Sequence, residues 1–233
     1  MDPKLRAESL TDDGKAPHPT PRFKVCCIAS VAEAMIAVRH GASAVGLVSA
    51  MPSGPGVISE ESIAKIAASV PPGVATFLLT SSRDAGEIIA QQRRCGVDTV
   101  QLCDRPLPGV MGELRDALSG IRFVQVIHVV DESAIEEARH AASTADALLL
   151  DSGNPRKAIK ELGGTGRVHD WSISRRIRES VDVPVFLAGG LTPENVADAV
   201  RQVRPFGVDV CSGLRTGGHL DEDKLVRFVR SLA

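Results

Sequence analysis

The sequence predicts an α/β fold, a single (β/α)8 TIM barrel, on three observations. From Phe23 onward, apolar β-rich runs alternate with helical segments eight times with few breaks. A chain of 233 residues has room for one such barrel. The last two strand candidates each run into a glycine turn, Gly189-Gly190 and Ser212-Gly213, where barrels of this class commonly hold phosphate.

The expected elements follow in chain order. Met1 to Arg22 is polar and punctuated by Pro3, Pro17, Pro19 and Pro21, so residues 1–22 read as a flexible extension and 23–233 as the barrel. The first strand is expected over Phe23–Ile28 and its helix over Ser30–Arg39. The second pair is Ala44–Val48 with Glu60–Ser69, and the third Ala75–Leu79 with Asp84–Cys95. Thr99–Leu102 with Val110–Leu118 and Phe123–His128 with Glu132–Ala142 make the fourth and fifth. Ala147–Leu150 is the sixth strand, followed by a long irregular segment from Ser152 to Asp170 and then the helix Trp171–Ser180. A loop of that length in a compact domain is usually functional or mobile, and its Gly163-Gly164-Thr165-Gly166 run suits closure over a ligand. Val183–Leu187 leads into a helix over Pro193–Val203, with Thr192 as N-cap, Pro193 at the first helical position and Glu194 in the first turn. Gly207–Val210 is the eighth strand, and Asp221–Leu232 the closing helix.

Composition narrows the function classes. A formal net charge of −2 gives no electrostatic footprint for nucleic acid or an anionic membrane. No apolar run reaches membrane-spanning length, and no signal-peptide core opens the chain. The five cysteines are an odd number without zinc-like spacing, which suits a reducing, cytoplasmic setting. The expectation is a cytoplasmic protein with a small phosphorylated substrate and neither nucleic-acid nor membrane partners, acting as a monomer or homodimer.

In such a barrel, chemistry belongs at the C-terminal ends of the strands. Alternation puts Lys24 and Cys26 on one face of the first strand, with Cys27 on the other, toward the helices. A lysine facing the interior needs a partner, and a lysine beside a thiol favours the thiolate. A lone buried cysteine is more often a small hydrophobe, so both readings of Cys26 stand. Asp151 ends the sixth strand, where it either serves chemistry or caps the Ser152-Gly153 turn. Asp209 interrupts an apolar strand and is expected to face polar partners inside the barrel. His128 is the one histidine ending a strand, a pocket-wall residue or a substrate contact. Gly189, Gly190, Ser212 and Gly213 are the candidate phosphate cradle, their N–H groups open to close approach. Gly164 is placed to lie over the ligand.

KVCC near the start, LLLD at the sixth strand, GGTGRVHDW, LAGGLTPENV and VRPFGVDVCSG together resemble the phosphoribosylanthranilate isomerase family. The resemblance runs in order from Phe23 to Leu232 and is most specific in the second half. It implies an Amadori rearrangement in tryptophan biosynthesis, an aldose–ketose isomerisation with no metal or organic cofactor. Cys26 falls on the family's general base and Asp151 on its general acid. Asp151 would carry a proton to the ribose ring oxygen, and a Cys26 thiolate would take the proton from C2′. Four positions depart from the family. Cys27 stands for the glycine after the catalytic cysteine, and Cys103 for the histidine of QLH. The loop after the second strand, Pro52 to Ser59, lacks the arginine that grips the anthranilate carboxylate. Leu214 to Gly218 replaces a glutamate-bearing turn. Arg105, Arg156 or Arg215 would then have to supply the cation. A paralogue acting on another phosphorylated sugar or amino-sugar, and a non-catalytic phosphometabolite-binding barrel, are the alternatives. Binding alone needs neither Cys26 nor Asp151, which speaks against the second of these.

Overall fold

The structure, a computed structural model, describes residues 21–232. Its barrel strands are β1 (Arg22–Val25), β2 (Ala44–Val48), β3 (Ala75–Thr80), β4 (Thr99–Leu102), β5 (Arg122–His128), β6 (Ala147–Asp151), β7 (Val185–Leu187) and β8 (Gly207–Val210). Each runs parallel to the next, and β8 pairs with β1, so the expected (β/α)8 barrel closes without an edge. Around it lie α1 (Val31–Arg39), α2 (Glu60–Ser69), α3 (Ala85–Cys95), α4 (Val110–Ala117), α5 (Ser133–Ala142), α6 (Trp171–Glu179), α7 (Val196–Val203) and α8 (Glu222–Leu232). No helix among the described residues is long and apolar enough to cross a membrane.

Period-2 alternation sorts the strand side chains into two apolar layers. Val25, Leu47, Leu78, Leu148 and Val208 pack outward against Ile63, Ile177 and Phe228 of the helices. Phe77, Leu79, Val126, Leu149 and Phe186 pack together inside. The same register sets Lys24 opposite Asp209. That pairing is why a lysine can be wholly buried. Its Nζ lies 3.0 Å from Asp209 Oδ2 and 3.0 Å from Gln101 Oε1, and 5.1 Å from the centre of the Phe77 ring.

Caps fix where helices begin. Ser30, Ser59, Asp84 and Asp170 each accept a backbone N–H from the first turn of the following helix. The observed bounds differ from expectation where a side chain takes over from the ladder. β1 stops at Val25, three residues early, because Cys27 adopts a left-handed φ of 60° and turns the chain out of the strand. α7 starts at Val196 rather than Pro193. Asn195 Oδ1 accepts from Thr192 N at 2.8 Å and its Nδ2 donates to Gly190 O at 2.9 Å, shaping residues 192–195 into a turn that feeds the helix. Beyond β8 the sequence analysis missed a hairpin. A single 3-10 turn over Ser212–Leu214 leads into β9 (Arg215–Thr216) and β10 (His219–Leu220), joined by Gly217-Gly218. Two glycines between short extended runs are a hairpin signal that could have been read. The extension expected over residues 1–22 lies outside the described residues except for its last two.

Candidate active site

The C-terminal strand ends enclose a cavity of about 690 Å³. Of the residues singled out from sequence, Cys26, Asp151, Asp209, Gly164, Gly189, Gly190 and Ser212 line it. Cys26, just past β1, and Asp151, at the end of β6, stand on opposite walls, since β7 and β8 lie between their strands.

On the first wall, Cys26 N donates to Val210 O at 2.8 Å, which holds the residue in register with β8. Cys26 Sγ and Lys24 Nζ border the same point, 2.9 and 3.1 Å from where a Cβ on Gly46 would stand. A side chain there would separate thiol from ammonium. Burial pulls the Lys24 ammonium toward losing its proton, but the adjacent Asp209 carboxylate outweighs that and holds the charge on. Burial pushes Asp209 the other way, up, and Lys24 opposes the push. With Nζ and Oδ2 in contact, the ionic form of the pair prevails. Asp209 Oδ1 is buried without a partner among the described residues, at the cavity floor.

Cys27 does not point toward the helices, as alternation predicts. Its left-handed backbone swings the side chain into the cavity, with Sγ 4.0 Å from Cys26 Sγ. Hydrogen bonding to neighbouring thiols and burial push the Cys27 thiol far up, whereas Cys27 and Arg215 draw Cys211 down. Burial likewise raises Cys103. Cys103 and Cys211 also line the cavity, though no sequence argument placed them there. Among the described residues, no three His, Cys, Asp or Glu side chains are grouped to hold a metal ion.

Asp151 divides its carboxylate. Oδ1 accepts from Ser152 N at 2.8 Å, the turn-capping role, while Oδ2 faces the backbone of Gly163 in the long loop. Both readings of this residue therefore hold at once. The same loop and the loop after β2 meet over the cavity. Ser53 Oγ donates to Lys160 O at 2.6 Å, and Pro55 packs on Gly164. Leu162 is driven into the lining as a plug, the lone apolar residue before the GGTG run.

Five of the singled-out residues lie elsewhere than expected. Lys24 is sealed beneath the floor by its partners. His128 sits behind the wall, Nε2 3.0 Å from Cys103 O, with Gly153 packed against its ring. Gly213 makes its close approach to the Leu191 carbonyl, where a Cβ would collide, rather than to the cavity. Arg105 is exposed beside a separate groove, lined also by residues of α4 and α5. Arg215 spends its guanidinium on Glu33 and on backbone carbonyls. Arg156, the third candidate cation, pairs with Asp131 at 2.8 Å on the outer surface. No lysine, arginine or histidine lines the cavity.

A thiol and a carboxyl across one roofed cavity, at the C-terminal mouth of a closed barrel, define a (β/α)8 enzyme equipped for acid–base work on a small molecule. Comparison with known proteins makes the class specific. The family model described as N-(5'phosphoribosyl)anthranilate (PRA) isomerase matches residues 23–231. N-(5'-phosphoribosyl)anthranilate isomerase 2 of Methanosarcina mazei is 40% identical over 89% of this chain and 92% of its own. The crystal structure of phosphoribosyl anthranilate isomerase from Thermotoga maritima is 30% identical, with a TM-score of 0.76 over 91% of this chain and 98% of that one. A phosphoribosyl anthranilate isomerase in complex with reduced 1-(o-carboxyphenylamino)-1-deoxyribulose 5-phosphate superposes with a TM-score of 0.74 at 28% identity. This chain belongs to the phosphoribosylanthranilate isomerase family.

Proposed function

We propose that this chain converts N-(5'-phosphoribosyl)anthranilate to the 1-deoxyribulose 5-phosphate aminoketose, an Amadori rearrangement. The observation that carries the reading is Cys26 opposite Asp151 in one cavity, on the two positions that match the family's base and acid. Asp151 delivers a proton through Oδ2 to the ribose ring oxygen, and the ring opens to a protonated imine. Cys26 then removes the proton from C2′, and the enolamine so formed tautomerises to the ketone. Asp209 Oδ1, buried and unpartnered, accepts a hydroxyl of the open-chain sugar. The turns at Gly189-Gly190 and Ser212 present backbone N–H groups to the phosphate, which suits a lining without cationic side chains. Turnover of synthetic phosphoribosylanthranilate by the purified protein, together with growth rescue of a tryptophan auxotroph lacking this isomerase, tests the reading. Absence of both overturns it.

The cation-free lining favours a second reading, in which the aglycone is not a carboxylate and the chain rearranges another phosphorylated amino-sugar. Turnover of a carboxylate-free analogue with none of phosphoribosylanthranilate itself would select it.

A further inference from the structure

Arg215 is three-quarters of the way round a link between the end of β8 and the end of β1. It follows the Ser212–Leu214 turn, and Lys224 Nζ holds its carbonyl at 2.7 Å. Its Nη2 donates to Cys26 O at 3.3 Å and to Cys27 O. Its Nη1 donates to Gly218 O at 2.8 Å. The Glu33 carboxylate accepts from both of these nitrogens at 3.3 Å, and also takes Ala29 N at 3.0 Å and Leu220 N at 2.9 Å. One carboxylate thus ties the β9–β10 hairpin to the β1–α1 turn, with the guanidinium clamped between them.

The carbonyls that Arg215 grips lie beyond Val25, where β1 has left the ladder. Cys27 holds a left-handed φ of 60°, a conformation that a non-glycine residue keeps only where surrounding contacts over-determine it. The direction of the Cys26 thiol depends on these same peptides. Resting on the function proposed above, we infer that Arg215 is a positioning residue: it fixes the Cys26–Cys27 backbone so that the base faces the sugar, and couples that backbone to the phosphate turn at Ser212. It does not line the cavity and touches no substrate.

The test uses Arg215→Met and Arg215→Lys in the full-length protein, with two readouts. In steady-state kinetics, Arg215→Met lowers kcat by about a hundredfold, as a misplacement of roughly 1 Å does, with KM changed by less than about threefold. Arg215→Lys, which keeps one donor group, recovers part of the loss. In the second readout, iodoacetamide alkylation of Cys26 is located by tandem mass spectrometry with and without inorganic phosphate. Phosphate slows alkylation of the wild type and no longer does so in Arg215→Met. Unchanged kcat in Arg215→Met overturns the proposal. So does a lost kcat with phosphate protection intact, because the guanidinium would then serve stability alone. If Arg215→Met does not fold, Arg215→Lys decides by the same split between kcat and KM and the same protection assay. A wild type that fails to turn over phosphoribosylanthranilate refutes the functional reading instead, and leaves the alkylation result to judge Arg215.

Discussion

Gly56 and Cys27 are matched by shape. A Cβ on Gly56 would stand 2.5 Å from Cys27 Cβ, and Gly56 itself has a φ of 84°. Two departures from the family pattern, a cysteine after the base and a neutral small-residue loop after β2, therefore meet at one contact. Gly56→Ala should destabilise the protein by about 1–3 kcal/mol through overpacking and backbone strain. In a Cys27→Gly background, the overpacking part of that cost should disappear. A double-mutant cycle by urea unfolding measures the coupling, and additive effects would show that the two positions are independent.

Cys26 and Cys27 both face the cavity, so chemistry rather than direction separates them. Cys26→Ser should lower kcat by about 10²–10⁴-fold, the usual worth of a positioned base. Cys27→Ala, which keeps the Cβ and removes only a thiol held strongly protonated, should retain kcat within about tenfold. Steady-state kinetics on both variants check the pair. A reversed order would move the base to Cys27.

The Lys24–Asp209 pair is fully enclosed, and removing one member leaves the other charge without compensation. Lys24→Met should cost about 3–5 kcal/mol of unfolding free energy, and Lys24→Met with Asp209→Leu should recover most of it. Chemical denaturation of both variants decides. A double variant no more stable than the single would mean that packing around the lysine stem, not the stranded charge, sets the cost.

Since no cation lines the cavity, the substrate carboxylate should contribute little to recognition. The carboxylate-free anilino analogue should show kcat/KM within about tenfold of phosphoribosylanthranilate, a difference below about 1.4 kcal/mol. A loss beyond a hundredfold would point to a rim cation that swings inward, and Lys160→Ala and Arg167→Ala would locate it.

Glu33 carries a pH signature. Burial pushes its carboxyl up, but the N–H donors of Leu220 and Ala29 and the Arg215 guanidinium outweigh burial and hold it below its ordinary value of 4.5. A carboxyl lowered in the folded state contributes stability above pH 4.5, and that contribution is lost as pH falls through the folded value. The stability gap between wild type and Glu33→Gln should therefore be open at neutral pH and narrow below 4.5. Thermal melts across pH 3–7 follow it, and a gap constant with pH would exclude the carboxylate as its source.

The barrel was legible in the sequence because both of its signals are local. Buried runs such as Leu148-Leu149-Leu150 announce strands, and Ser59 or Asp84 announce helix starts. Lys24 and Asp209 were marked as interior by the same alternation, and their pairing followed once the register was known. What stayed hidden depends on contacts across the chain. That Arg215 is consumed by Glu33, 182 positions away, cannot be read from either neighbourhood. Cys27 escaped because strand alternation assumes that the strand continues, and a single left-handed residue ended it. Arg105 and Arg156 were plausible only while the outward faces of their loops were unknown.

The roof formed by Ser53, Pro55, Leu162 and Gly164 bears on the fate of the intermediate as well as on entry. The open-chain imine is an electrophile, and bulk water would hydrolyse it to a free amine and a sugar phosphate. Each turnover is a race between tautomerisation and that leak. Loops that meet while the imine exists decide the race in favour of product, at the cost of having to part before the aminoketose can leave. Weakening the seam, as Ser53→Gly would, should release product sooner and spill more amine, and the ratio of amine to ketose formed reports how tightly the two loops hold.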